Sequence, residues 1–359
     1  MKATRTLQSL ILGRANNLNA IRLLLAVLVI LAHSFPLATG KEGDPLFILT
    51  RGQTTSGGLA VNLFFFISGL LVTMSWLKCD SMNEYLRHRV LRIVPGYLCA
   101  LGFSFIVALI FAAHPFANLF TRVLNFEDVI YLGYQGVVGD WIFPNNPFPH
   151  YANGSLWTIS QEFKCYLLIA FIGLFGWFKF RKLALMIFVV YFLSRFGLDV
   201  FRGVDIEHSD HRFFTFFLAG MCAWLWRDKI IIHSGIAAIA LVATAVSIRF
   251  APAFTMLMPI ALCYLVLWGA YAYRLKAVAW CERTDLSYGT YLFAFPVQQI
   301  LVAVGVTNPW ALFGLATPLV LGLAFISWFA VEQPCLKLKR NNFSDQDPAL
   351  PDSNKQRLN

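Results

Sequence analysis

Charge is scarce in this sequence. Asp, Glu, Lys and Arg make up 13% of its 359 residues, against 58% for hydrophobic types. A soluble domain of this length cannot hide that much apolar surface, so the balance excludes an ordinary soluble enzyme. Acidic residues are the rarer sign, 19 against 29 basic ones, which leaves a net charge of +10. Paired cysteines are lacking as well. The seven cysteines are scattered without a Cys-x-x-Cys, and Cys99, Cys165, Cys222 and Cys263 fall in apolar runs, where a thiol behaves as a small hydrophobe. That pattern excludes a disulfide framework and a zinc site of ordinary spacing, so no metal is expected. No repeat of fixed period and no Gly-x-Ser-x-Gly elbow occurs, which counts against a repeat transporter fold and against a serine nucleophile of the hydrolase kind.

What is present is a series of long apolar runs, with a mean hydropathy of +0.63. They predict an all-α integral membrane protein of about ten transmembrane helices. The spans fall near 19–38, 58–77, 93–113, 155–176, 183–199, 213–226, 231–248, 253–273, 286–306 and 309–331. The first run is long and many more follow, so it reads as an uncleaved span rather than a signal peptide. Span three is expected to carry Pro95 in its first turn. Residues 1–18 read as a cytoplasmic interfacial segment, 19–334 as the transmembrane domain, and 335–359 as a basic and polar cytoplasmic tail without fixed structure. The long connection 114–154 mixes aromatics with prolines, which favours an ordered outer loop.

Basic residues cluster between alternate runs: Lys78 to Arg92, Lys179 to Lys182, Arg227 and Lys229, Arg274 to Arg283, and Lys337 to Arg340. The other connections carry them singly, mixed with acids. That asymmetry places both termini in the cytoplasm. It also accounts for the net charge as an orientation signal in contact with membrane lipids, and argues against a nucleic-acid partner.

Within the runs a few polar residues stand out. Arg22 and His33 bracket the first apolar run with ten residues between them. Eleven steps are about three helical turns, so the two share a face roughly 16 Å apart. Both can be interface anchors, or can line a wet cavity. Glu162 lies about two turns into span four, on the side of Ser155 and Thr158; it either locks helix packing as an ion pair or serves a cavity. In span two, Ser68 and Gly69 allow close helix approach, and Asn62 is a better candidate to line a polar cavity. Arg87, Arg89 and Arg92 are a topology signal that also suits phosphate oxygens. Asp285, Tyr288 and Tyr291 open span nine, and Glu332 closes span ten.

As a set, these residues resemble the integral-membrane acyltransferase 3 family over nearly the whole length. The resemblance is carried by Arg22-x10-His33-Ser34, Phe64-Phe65-Phe66-Ile67-Ser68-Gly69, and Arg89-x2-Arg92-Ile93-x-Pro95-x-Tyr97. It continues in Ser155-Leu156-Trp157-Thr158 with Glu162 and Tyr166, Leu286-Ser287-Tyr288-x2-Tyr291-Leu292, and Val331-Glu332-x-Pro334. Two positions depart from the family pattern: Asn19, where aspartate is common, and Ala294, where a histidine often precedes Phe-Pro. The runs Asn153–Trp157 and Tyr291–Gln299 look like a single-domain branch linked to surface and exported polysaccharides.

The resemblance implies transfer of an acyl group, most often acetyl, from cytoplasmic acyl-CoA to a hydroxyl on the outer side of a bacterial inner membrane. Acetyl-CoA is then a donor substrate rather than a resident cofactor. The acceptor is a glycan or lipid-linked glycan, with polysaccharide-assembly proteins as candidate partners. Arg22, Arg89 and Arg92 are assigned to the donor phosphates, and His33 to catalysis with Glu162 orienting it. Asn62, Ser68, Asn153, Trp157 and Tyr288 are assigned to the substrate cavity. A lipid or small-molecule acceptor, and a multi-span transporter, are the alternative readings.

Overall fold

The computed structural model describes residues 5–11, 16–111, 142–202, 211–250 and 252–338. Most of the expected outer loop (112–141), the connection 203–210 and the tail from 339 onward lie outside the described residues. Every predicted run folds as a helix. After a short α1 (Leu7–Ile11) come α2 (Leu18–Thr39), the single-turn α3 (Pro45–Leu49), α4 (Ser56–Lys78) and α5 (Met82–Ile110). Next are α6 (Trp157–Leu174), α7 (Arg181–Arg202), α8 (His211–Leu225) and α9 (Ser234–Ser247). The chain ends with α10 (Ala253–Tyr271), α11 (Ser287–Ala303) and α12 (Pro309–Ser327), which runs through a π-turn (Trp328–Glu332) into α13 (Gln333–Lys337). The described residues hold no β-strand, only isolated bridge contacts such as that between Thr6 and Ile231.

Five of these units are long and apolar enough to cross a membrane: α2, α4, α5, α10 and the continuous Pro309–Lys337. Large apolar side chains cover the outside of the bundle. Ile110, Ile239 and Val242 are 69%, 70% and 62% exposed, which lipid tolerates and water does not. This is a multi-pass membrane protein.

The bundle centres on α2, α4 and α11. α2 packs against α4, α11 and α12, while α8 lies along α4. Glycine sets the α4–α8 spacing. A Cβ on Gly69 would meet the Phe217 carbonyl oxygen at 2.0 Å, and one on Gly220 would meet that of Phe66 at 2.0 Å. Each glycine therefore admits the other helix's backbone, the contact by which helices associate in lipid. Gly69→Ala is expected to force the pair apart and to cost about 1–3 kcal/mol, read as a lower Tm of the detergent-solubilised protein.

Span three is longer than its apolar run. Its helix begins at Met82, so Arg87, Arg89 and Arg92 sit on a helix rather than in a loop, and Pro95 lies inside it rather than in its first turn. The reason is local. Ser81 Oγ accepts from Glu84 N at 3.2 Å and Glu84 Oε2 accepts from Asp80 N at 2.9 Å, a capping arrangement that starts the helix before hydrophobicity does.

Candidate active site

Helix spacing along α2 aims two polar side chains into two separate chambers. The first is lined by Arg22 from α2, Ser68 from α4, Arg89 and Arg92 from α5, Glu162 from α6 and Tyr288 from α11. The second is lined by His33 from α2, Glu42, Ser155, Trp157 at the start of α6, and Arg212 from α8.

In the arginine chamber the cations are unequal. Arg22 and Arg92 both bond Asp285 Oδ2. Asp285 lies just before α11, and its Oδ1 also accepts from Ser287 Oγ at 2.6 Å. Burial pushes the Asp285 carboxyl up, but the two guanidiniums outweigh it and hold the group well below the usual carboxylate range. Arg92 is stacked over Tyr288, 5.7 Å from the ring centre. Arg89 is different. Its guanidinium donates to Ser75 Oγ at 3.1 Å and lies 5.6 Å from the Tyr166 ring centre, and among the described residues no carboxylate pairs with it. It is the cation left free to meet an anion.

Glu162 accepts from the Tyr166 hydroxyl and, at 3.5 Å, from Ser68. The expected pairing with His33 is not formed. Ser155, in the turn before α6, lines the histidine chamber; Thr158 in the first turn of α6 lines both, and Glu162 one turn further on lines only the arginine chamber. One turn of helix separates the carboxylate from the chamber in which it was expected.

His33 is half-buried. Its ring stands edge-on to Phe295 with centroids 5.4 Å apart, and its Nδ1 is buried without a hydrogen-bond partner. The turn that carries it is fixed from α11: Gln298 Nε2 donates to the Ile30 carbonyl and to Ser34 Oγ, both at 2.8 Å. The Ser155 hydroxyl in the same chamber is likewise buried without a partner.

Two predicted cavity residues line neither chamber. Asn153 is fully buried and consumed by structure, donating to Ser104 Oγ and the Leu292 carbonyl at 3.0 Å each and accepting from Ser155 N at 3.1 Å. Asn62 is buried within the α4 packing, with its Oδ1 unpartnered. The unusual Asn19 also has a local account. Its Nδ2 donates to the Cys281 carbonyl at 2.9 Å, which a carboxylate cannot do. Ala294 is wholly buried in the main core, so α11 reaches His33 through the neighbouring Phe295.

Sequence reasoning left Asp285 without a role. Its signal was present: an Asp-x-Ser turn directly before an apolar helix. What pairs it with Arg22 and Arg92 is the fold alone.

Known proteins match along the same span. A family described as an acyltransferase domain matches residues 16–329. An O-acetyl transferase of Shigella phage Sf6 is 26% identical over 341 residues, covering 89% of this chain and 96% of the relative. Nodulation protein 10 of Rhizobium leguminosarum bv. viciae is 25% identical over 371 residues, covering 91% of this chain and 95% of the relative. An uncharacterized protein of Haemophilus influenzae is 25% identical over 133 residues, or 36% of this chain and 52% of the relative. No solved structure matches. With the match running from the segment before Arg22 to the π-turn at the end of α12, this acyl-transferring enzyme of the membrane belongs to the acyltransferase 3 family.

Proposed function

We propose that the protein transfers an acyl group, acetyl in the simplest case, from cytoplasmic acyl-CoA to a hydroxyl of a surface or exported polysaccharide outside the bacterial inner membrane. In this reading the helices of all ten expected spans cross the bilayer, both termini are cytoplasmic, and residues 19–334 form the transferring unit. The arginine chamber faces the cytoplasm and the histidine chamber faces out. The observation that carries the reading is the pair of chambers strung on α2, with three arginines in one and a histidine with an unpartnered nitrogen in the other. The full-length similarity to a protein named O-acetyl transferase supports the acetyl group and the hydroxyl acceptor.

The donor's phosphates sit at the arginine end, where Arg89 supplies the unneutralised charge and the Arg22–Asp285–Arg92 cluster holds the wall rigid. The pantetheine arm has the same order of length as the roughly 16 Å between Arg22 and His33, and Glu162 accepts from its amide groups. At the far end His33 takes the proton of the acceptor hydroxyl as that oxygen attacks the thioester carbonyl. The tetrahedral adduct collapses, the C–S bond breaks, and the leaving thiolate recovers the proton from the imidazolium.

Arg89→Gln is expected to raise the donor KM by about 10- to 100-fold, the worth of a charged hydrogen bond, with kcat little changed. Initial rates against acyl-CoA concentration check this, and an unchanged KM removes Arg89 from the donor site. The reading as a whole is tested by NMR of surface glycans from cells with and without the protein. Loss of O-acetyl signals on deletion is expected, and equal O-acetyl content overturns it.

A further inference from the structure

Among the described residues the two chambers have three lining residues in common, Val61 of α4, Thr158 of α6 and Tyr291 of α11. We propose that these three side chains form an aperture that sets the size of the acyl group admitted to His33. The inference rests on the acyl-transfer reading above and adds a specificity device to it.

The partition is built to be stiff. The Tyr291 hydroxyl lies 2.7 Å from Thr158 Oγ1 and 3.1 Å from the Ser155 carbonyl oxygen, so α11 is tied to the first turn of α6. The Phe64 ring meets Tyr291 edge-on at 6.2 Å and backs it from α4. The third side is Val61, whose branched Cβ leaves one strongly preferred rotamer in a helix. Three different helices thus each contribute one restrained side chain to the rim.

The position of the rim gives it a consequence. Phosphates held near Arg89 and a hydroxyl activated at His33 lie on opposite sides of it, so the thioester end must cross it to react. A rim that cannot widen discriminates by bulk. One surplus methylene in a fitted pocket costs about 10- to 200-fold in kcat/KM. The aperture therefore passes acetyl and rejects longer chains, without any contact to the phosphates or to the acceptor.

The test uses inverted membrane vesicles from the native host, with its own glycan as acceptor, supplied with radiolabelled acetyl-, propionyl- or butyryl-CoA. Label in the glycan fraction is measured. The wild type is expected to favour acetyl over butyryl by at least about tenfold. Val61→Ala is expected to narrow that ratio by about tenfold or more, chiefly through faster butyryl transfer. Thr158→Ser, which removes a methyl and keeps the hydroxyl facing Tyr291, is expected to move the ratio the same way and guards against a folding defect in the first variant. Acetyl transfer with an unchanged acetyl-to-butyryl ratio in the variants that remain active overturns the aperture and leaves the transfer reading standing. Loss of all transfer in both variants, with normal amounts of inserted protein, also overturns it, because a wider rim should not block acetyl. Absence of label from every donor in the wild type overturns the transfer reading, and this inference with it.

Discussion

His33→Ala is expected to lower kcat by about 10²- to 10⁴-fold, the usual worth of a positioned general base, while the protein accumulates in the membrane at normal levels. The two halves of that expectation have separate grounds. The catalytic half follows from position: His33 lines the chamber on the far side of the partition from Arg22, Arg89 and Arg92, with a ring nitrogen that no described residue satisfies. The stability half follows from the same nitrogen. Among the described residues no hydrogen bond ties Nδ1 to the fold, and the turn around His33 is held by Gln298 through the Ile30 carbonyl and Ser34. Removing the imidazole gives up the edge contact to Phe295 and, among the described residues, breaks no hydrogen bond at Nδ1. Labelled acyl transfer in vesicles, normalised to the amount of inserted protein, checks both halves. Full activity in the variant would remove His33 from the reaction.

Asp285→Asn is expected to have the largest effect on the fold, a loss of about 3–5 kcal/mol. A domain's whole stability is about 5–15 kcal/mol, so little of this variant should accumulate. The cause is not the loss of attraction alone. Arg22 and Arg92 share Asp285 Oδ2, and without the carboxylate the two guanidiniums face each other without the counter-charge that bonds both, Glu332 acting on them only by longer-range attraction. Adding Arg22→Met to Asp285→Asn is expected to recover part of the loss, because one of the two stranded charges goes with it. Thermal unfolding of the purified single and double variants measures this. A double variant no more stable than Asp285→Asn alone would show that repulsion is not the cause. Acid should act in the direction of the substitution. Asp285 is held ionised by its partners, so its contribution is complete above the ordinary carboxylate range and is lost only as the pH falls through its depressed value.

The candidate site was legible in the sequence to the extent that its residues are marked by being polar in apolar surroundings. Arg22, Ser68, Arg89, Arg92, Glu162 and Tyr288 do share a chamber. The same cue misplaced Asn153 and Asn62, because a buried amide that satisfies backbone groups and one that lines a cavity look alike in sequence. It also paired Glu162 with His33. Both residues lie on the correct faces of their helices, but the axial offset between α2 and α6 puts Thr158 level with the partition and Glu162 beyond it.

The sequence by itself determined the helices and the family. Apolar runs must close their own backbone hydrogen bonds in lipid, so each run became a helix, all but the third close to its predicted limits, and the motifs along them match an acyltransferase domain. Where a polar capping signal preceded the apolar run, at Ser81 and Glu84, even the helix start required local chemistry that hydropathy does not report. Only the tertiary structure decided which charges meet and which chamber each side chain enters. Asp285 reaches Arg92 and Arg22 across 193 and 263 residues of chain, and the rim of Val61, Thr158 and Tyr291 takes one residue from each of three helices. Such contacts depend on the height and rotation of one helix against another. Those are fixed by packing, at places such as the facing Gly69 and Gly220, and not by any pattern within a single run.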